Sequence, residues 1–287
     1  MVKSMKRRYL LKAMGLGCIG FGIAPEILAR TIEDPFADAN ESSDGALKDY
    51  LQKIQHFNDP HEDDLFVDSS LSGIFESTVM RLRRLQRLVG HGNFHILSFT
   101  SGLSTARNYS KVGEFTKPEL RFMETIFYEE GQRYGFLGQK PLKEITDQVK
   151  KNEVVKIPYS GNYLYKDRSI EIFERIKKEL GEQVVLTSGI RGVTKQFLLF
   201  LNKVYISNGN LSLASRSLAP PGYSFHGNGD FDVGQAGFGA LNFTGRFTDT
   251  EVFKRLSKLG YLKLRYPLDN QLGVRYEPWH IKISADV

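Results

Sequence analysis

Ala219-Pro220-Pro221-Gly222-Tyr223-Ser224-Phe225-His226-Gly227-Asn228-Gly229-Asp230-Phe231-Asp232-Val233-Gly234 sets a histidine and an aspartate six positions apart, with Gly227 and Gly229 between them. A straight strand advances ~3.3 Å per residue, so an extended chain would hold His226 and Asp232 roughly 20 Å apart. Ligands of one ion must instead converge on it, with bonds of about 2 Å. Gly-Asn-Gly is a segment that can fold the chain back, because glycine accepts positive φ without a steric penalty. Downstream, Tyr276-Glu277-Pro278-Trp279-His280 offers a second imidazole and a carboxylate beside it. Two histidines, an aspartate and a free glutamate are the parts of a catalytic zinc site that keeps one position open for water.

Charge and cysteine content narrow the field. The 287 residues include 39 Lys and Arg against 33 Asp and Glu, with a net charge of +6. Residues 1–30 hold six of the basic residues (Lys3, Lys6, Arg7, Arg8, Lys12, Arg30) and one acid, Glu26. The rest of the chain is nearly neutral, so a nucleic-acid partner is not expected. The leader itself, Lys6-Arg7-Arg8-Tyr9-Leu10-Leu11-Lys12 followed by a glycine-rich apolar run from Ala13 to Ala24, reads as a signal peptide of the twin-arginine type. The run is too short for a comfortable membrane span. An uncleaved anchor is the competing reading, and cleavage is expected near Ala29. The single cysteine, Cys18, falls in this leader, where a lipidated cysteine is the weaker reading. A mature chain without cysteine has neither disulfides nor thiolate ligands, so a metal must be held by His and carboxylate.

Along the chain, Asn40-Glu-Ser-Ser-Asp-Gly45 reads as a joint. His56 and His61 sit in a charged segment with Asp59-Pro60 and read as part of a solvated turn. An amphipathic helix is expected over 74–89, with Arg81, Arg83, Arg84 and Arg87 on a solvated face. A groove for an anionic wall polymer is the sharper alternative there. Gly90 and Gly92 argue against a helix carrying His91 and His95 as a ligand pair. A further helix is expected over 118–134, with Thr116 as N-cap. Helices over 170–180, 193–205 and 250–259 then alternate with strands over 184–188, 262–266 and 274–276. The order is α+β: a small antiparallel sheet with flanking helices, preceded by a mostly helical region. The expected organisation is 1–30 signal peptide, 31–150 helical region and 151–287 catalytic domain. No glycine-rich phosphate loop is present.

Three separated segments resemble one family. Ser188-Gly189-Ile190-Arg191 with Gln196 is similar to the Ser-Gly-Tyr-Arg…Gln block of the VanY-type D-alanyl-D-alanine carboxypeptidases, a class of zinc peptidases. Pro221 to His226, with Gly229 and Asp232, resembles their Ser-x-His-x-x-Gly…Asp block. Leu264-Arg265-Tyr266-Pro267 and Arg275-Tyr276-Glu277-Pro278-Trp279-His280 resemble their C-terminal block. The resemblance covers about 155–287. It implies the fold of that peptidase class, with Zn²⁺ on His226, Asp232 and His280. It also implies Glu277 as general base, Arg191 as stabiliser of the oxyanion, and Gln196 and Ser224 in the substrate cleft.

The family's histidine and aspartate are usually seven positions apart, and here Val233 stands in that place. Asp232 is preferred, one residue early, and Asp230 is the competing candidate. Pro278 disfavours helix at Glu277, so Glu277 and His280 are expected on a bent segment rather than one continuous helix. Trp279 is expected to pack beside the site. The implied activity is removal of the terminal D-alanine from peptidoglycan stem peptides in the periplasm or cell envelope. Its alternatives are an L,D-carboxypeptidase, an endopeptidase, or a wall-binding module without activity.

Overall fold

The computed structural model describes residues 49–283. The leader, its twin arginines, Cys18 and the joint at 40–45 lie outside the described residues. The helical part contains α1 (49–55), α2 (Ser72–Val89), α3 (His91–Phe94), α4 (Phe99–Asn108) and α5 (Lys117–Tyr128). A two-stranded hairpin, β1 (Val154–Lys156) and β2 (Tyr163–Tyr165), precedes α6 (Arg168–Leu180) and β3 (Val184–Ser188). Then come α7 (Val193–Ile206), α8 (Leu211–Ser215), β4 (Phe231–Gln235), α9 (Glu251–Lys258) and β5 (His280–Ile281).

Local signals account for most helix positions. α2 buries Phe75, Val79, Leu82 and Leu85 along one stripe. α5 begins with a capping box in which the Thr116 hydroxyl accepts from the Glu119 N–H and the Glu119 carboxylate accepts from the Thr116 N–H. It ends at Tyr128 rather than running to Tyr134, because Glu129 turns extended and a separate 3₁₀ turn covers Gly131–Tyr134. Gly131 is needed there: a Cβ would come within 3.1 Å of the Tyr223 ring. His91–Phe94 forms one helical turn despite Gly90 and Gly92; Gly90, at φ 83°, supplies the break before it. Of the four arginines of α2, Arg87 is exposed as expected, but the other three do not form a solvated face. Arg81 pairs with the buried Glu119 at 3.0 Å, Arg83 donates to Asn202 at 2.7 Å, and Arg84 donates to the Val112 carbonyl at 3.2 Å. These three pin the helix to its neighbours.

The sheet departs from the expected strands. Residues 274–276 form no strand, and 262–266 contribute only an isolated bridge, Leu264 to Ile281. The three-stranded antiparallel sheet is β3-β4-β5. Its register sets Asp232 opposite both Ser188 on β3 and His280 on β5, with a bulge between Leu186 and Ser188. Alternation sends Phe231 and Val233 into a core with Leu186, α6 and α9, and turns Asp230 and Asp232 to the other face. A second core joins α2, α4 and α5 to Phe197, Phe200, Leu201 and Val204 of α7. Packing therefore runs across residue 150, where the sequence resemblance begins to fade.

Candidate metal centre

The fold-back between His226 and Asp232 is a 3₁₀ turn over Phe225–Asn228 that closes at Gly229. Gly229 has φ 110°, and a Cβ there would lie 2.9 Å from the Ser169 hydroxyl, which donates to the Gly229 carbonyl at 2.8 Å. Only glycine suits that position. The Asp230 N–H then returns to the Phe225 carbonyl at 3.2 Å, and the chain enters β4 pointing back past His226. As a result Asp232 Oδ1 lies 3.2 Å from His226 Nε2 and 3.4 Å from His280 Nδ1.

His226, Asp232 and His280 are all buried, and one ligand atom of each lies within 4.8 Å of the others. Among the described residues no other His, Cys, Asp or Glu trio does this. Each histidine has its second nitrogen engaged. His226 Nδ1 is 2.7 Å from the Gly189 carbonyl, which accepts its proton and leaves Nε2 as a lone pair. His280 Nε2 is 3.1 Å from Asp230 Oδ2. Partners of this kind fix the tautomer and ring orientation of metal-binding histidines.

Asp230 is thus placed behind His280 rather than among the converging atoms. Its carboxylate also takes Arg265 Nε at 2.8 Å and the Ile283 N–H at 2.8 Å. Those positive neighbours hold it ionised despite burial, well below the usual carboxylate range.

Whether a metal fits can be judged from two orphaned atoms. His226 Nε2 and Asp232 Oδ1 are buried, near each other, and make no hydrogen bond. Two lone-pair donors facing each other without a proton between them repel, and a buried polar atom without a partner is costly. A cation removes both penalties, and two imidazoles with one carboxylate suit Zn²⁺. Burial raises the Asp232 pKa, but His226 and Arg191 beside it bring it down to about 2. Burial likewise opposes a charge on His280, but hydrogen bonding to Asp230 and Glu277 raises it to about 9. Without metal, then, a proton on His280 competes for the same place.

Glu277 sits where a turn over Pro278 and Trp279 meets β5. Its N–H donates to the Tyr266 carbonyl at 3.1 Å, and its carbonyl accepts from the His280 N–H at 3.2 Å. That turn puts Glu277 Oε2 3.4 Å from His280 Nδ1. Arg191 Nη2 pairs with Asp232 Oδ2 at 2.6 Å and Nε donates to Ser188 Oγ at 2.9 Å. Asp232, Arg191 and Glu277 all line a cavity of about 550 Å³, whose walls also include His95, Lys195 and Arg275. Trp279 packs beside the site as expected, buried against Phe243 and under Arg275.

Gln196 and Ser224 are placed otherwise than the resemblance implied, for neither lines this cavity. Both ends of the Gln196 amide are taken by backbone: Nε2 donates to the Arg191 carbonyl at 2.7 Å and Oε1 accepts from Gly222 N–H at 2.9 Å. Gln196 braces one functional loop against the other. Ser224 is buried at the head of the 3₁₀ turn, where its carbonyl accepts from Gly227. Sequence reading missed the part of Asp230 behind His280, the Arg265 that holds Asp230, and the cations of the cavity wall. Arg265 was within a quoted block, but nothing local tied it to Asp230.

Residues 165–285 match the family model described as VanY, D-alanyl-D-alanine carboxypeptidase. No curated protein matches the chain. Among solved structures, the LdcB LD-carboxypeptidase is 24% identical over 47% of this chain and 69% of its own, with TM-score 0.38. A mutant of the vancomycin resistance D,D-pentapeptidase VanY, in complex with Zn(II), is 24% identical over 50% of this chain and 84% of its own, also at 0.38. The D,D-dipeptidase VanXYg, bound to a D-Ala-D-Ala phosphinate analogue, is 21% identical over 50% and 57%, at 0.39. These structural likenesses are slight, and the weight rests on the family match and on the site. Residues 165 to 285 are thus similar in sequence to the VanY-type D-alanyl-D-alanine carboxypeptidase family.

Proposed function

We propose that the chain is a zinc-dependent carboxypeptidase that hydrolyses the C-terminal D-alanine from peptidoglycan stem peptides. The observation that carries this reading is the convergence of His226, Asp232 and His280 beside a further carboxylate, Glu277, at a cavity wall. Bound zinc supplies Lewis acidity and makes water a nucleophile near neutral pH. His226 would hold it through Nε2, His280 through Nδ1, and Asp232 through its carboxylate.

The chain's own residues handle the proton and the charge. Glu277 accepts the proton of the attacking water as the C–O bond forms, then delivers it to the amine nitrogen as the C–N bond breaks. The products are a shortened peptide and free D-alanine. Arg191 spends Nε and Nη2 on Ser188 and Asp232, which fixes the guanidinium plane and leaves Nη1 for the developing oxyanion. A preorganised donor there is worth about 3–4 kcal/mol in the transition state. Asp230 and the Gly189 carbonyl keep both imidazoles in the tautomers that face the ion.

Defined tri-, tetra- and pentapeptide stems, incubated with the purified protein with and without chelator, test the reading. Release of D-alanine from pentapeptide, lost on chelation and restored by zinc, is the expected result. Zinc-loaded protein that releases nothing from any stem overturns it, and cleavage of tetrapeptide alone reassigns it as an L,D-carboxypeptidase. The twin-arginine motif supports export to the periplasm or cell envelope, where that substrate lies, and no described helix is long and apolar enough to cross a membrane. Replacing Arg7 and Arg8 with Lys should leave precursor inside the cell; unchanged export counts against that route.

A further inference from the structure

Four cations line the cavity, and its two carboxylates are already engaged. Asp232 pairs with Arg191, and Glu277 lies against His280. Lys195 and Lys203, two turns apart on α7, face the same space with Leu199 between them. Lys195 has no hydrogen-bonding or ion-pair partner among the described residues, and Arg191, in the loop just before α7, repels it. Lys203 meets only a neutral group, Asn58 Oδ1 at 3.3 Å. Across the cavity Arg275 is stacked on Phe57 and Trp279, its Nε buried without a hydrogen bond and 3.8 Å from Glu277 Oε1. Arg275 has Glu277 as its counter-charge, whereas Lys195 and Lys203 have no anionic partner among the described residues. A cation held partly out of water in this way is unfavourable, and a bound anion relieves it.

The facing wall comes from outside the family match. His91, Gly92 and His95 of the α3 turn line the cavity. They are held there by close backbone contacts: the Gly192 N–H donates to the His95 carbonyl at 2.8 Å, and a Cβ on Gly92 would stand 3.2 Å from the Gly161 carbonyl. Charges enclosed in this way act at a lower effective dielectric than on an open surface.

We propose that Lys195 and Lys203, with Arg275 opposite, form a subsite that binds a carboxylate of the peptide substrate. The proposal rests on the peptidase reading above and names what that substrate must carry. The subsite serves an acidic peptide, through a side-chain carboxylate or the free C-terminus.

Three versions of one synthetic stem-type peptide separate these sources: both carboxylates free, the side-chain carboxylate amidated, and the C-terminus amidated. Turnover is measured with zinc-loaded wild-type protein and with K195Q/K203Q. Binding of the same peptides, fluorescently labelled, is measured by anisotropy with both proteins in a Glu277→Gln background. Wild type should prefer one free carboxylate over its amide by about tenfold in KM and in affinity, and the double variant should lose that preference. The amide that abolishes the lysine effect identifies which carboxylate is bound. Wild-type indifference to both amidations, or an equal loss by the variant on all three peptides, overturns the subsite. Absence of turnover with a retained lysine-dependent affinity overturns the peptidase reading and leaves the subsite standing.

Discussion

His280 Nε2 lies 3.1 Å from Asp230 Oδ2 while Nδ1 of the same ring faces Asp232 Oδ1 at 3.4 Å, so one imidazole is held between two carboxylates, one just before β4 and one within it. The two aspartates do different work. Asp232 belongs to the converging trio, whereas Asp230 orients the ring and neutralises Arg265. Asp230→Asn should weaken zinc affinity by about 10–100-fold without abolishing binding, as loss of an outer partner does. It should also destabilise the fold by about 3–5 kcal/mol, because Arg265 loses its buried counter-charge. Competition with a chromogenic chelator reads the first effect and urea unfolding the second. Zinc affinity equal to wild type would remove Asp230 from the site.

Glu277 touches the cavity and His280 but is not one of the three converging ligands. Glu277→Ala should keep zinc at one equivalent while kcat falls by about 10²–10⁴-fold, the usual worth of a positioned general base. Metal content by atomic emission and single-turnover kinetics on the pentapeptide check this together. Unchanged turnover in a zinc-replete variant would take the base assignment away.

How far the sequence reached depended on how local each signal was. The Thr116–Glu119 capping box and the Phe75–Val79–Leu82–Leu85 stripe are written within one helix each, and both helices formed. The choice between Asp230 and Asp232 was different. Residues two apart on a strand share a face, so alternation could not separate them. What separates them is the pairing of Asp232 with His280 across β4 and β5, about fifty residues apart in sequence. Motif likeness located Gln196 but not its amide, which turned inward to two backbone groups. The spacing of Lys195 and Lys203 could be read on α7, yet only the docking of the α3 turn makes their face a cavity wall. Of the strands expected at 262–266 and 274–276, the first is reduced to a bridge from Leu264 to Ile281 and the second does not form.

Lys195 should show the cost of that cavity in the absence of substrate. Burial, and then the Arg191 charge, lower its pKa from 10.5 to about 8. Between those values the unfolded chain binds a proton that the folded chain has shed, so stability gains a component that rises with pH from about 8 to 10.5. Below that window the folded state carries the whole penalty. Lys195→Met should therefore stabilise the metal-free protein at pH 7 by on the order of 1–3 kcal/mol, discounted for the lysine's partial exposure. The advantage should shrink as pH rises through the window. Urea unfolding of both proteins at pH 7 and pH 9.5 measures it, and a constant difference would mean that Lys195 is not desolvated.

The family match begins at residue 165, but a chain starting at 151 should not fold. α7 carries Val193, Phe197, Phe200, Leu201 and Val204 into the core shared with α2, α4 and α5. Burying one such side chain contributes about 1.5–3 kcal/mol, so the five together approach the ~5–15 kcal/mol net stability of a whole domain. Removing the N-terminal helices exposes that face, and with it the helix that follows Arg191 and carries both cavity lysines. The truncated chain should bind a hydrophobic dye, lack a cooperative thermal transition and hold zinc far more weakly than the chain from 49 onward. A cooperative transition with one tightly bound zinc in the 151–287 fragment would show instead that the sheet and its turn sustain the site by themselves.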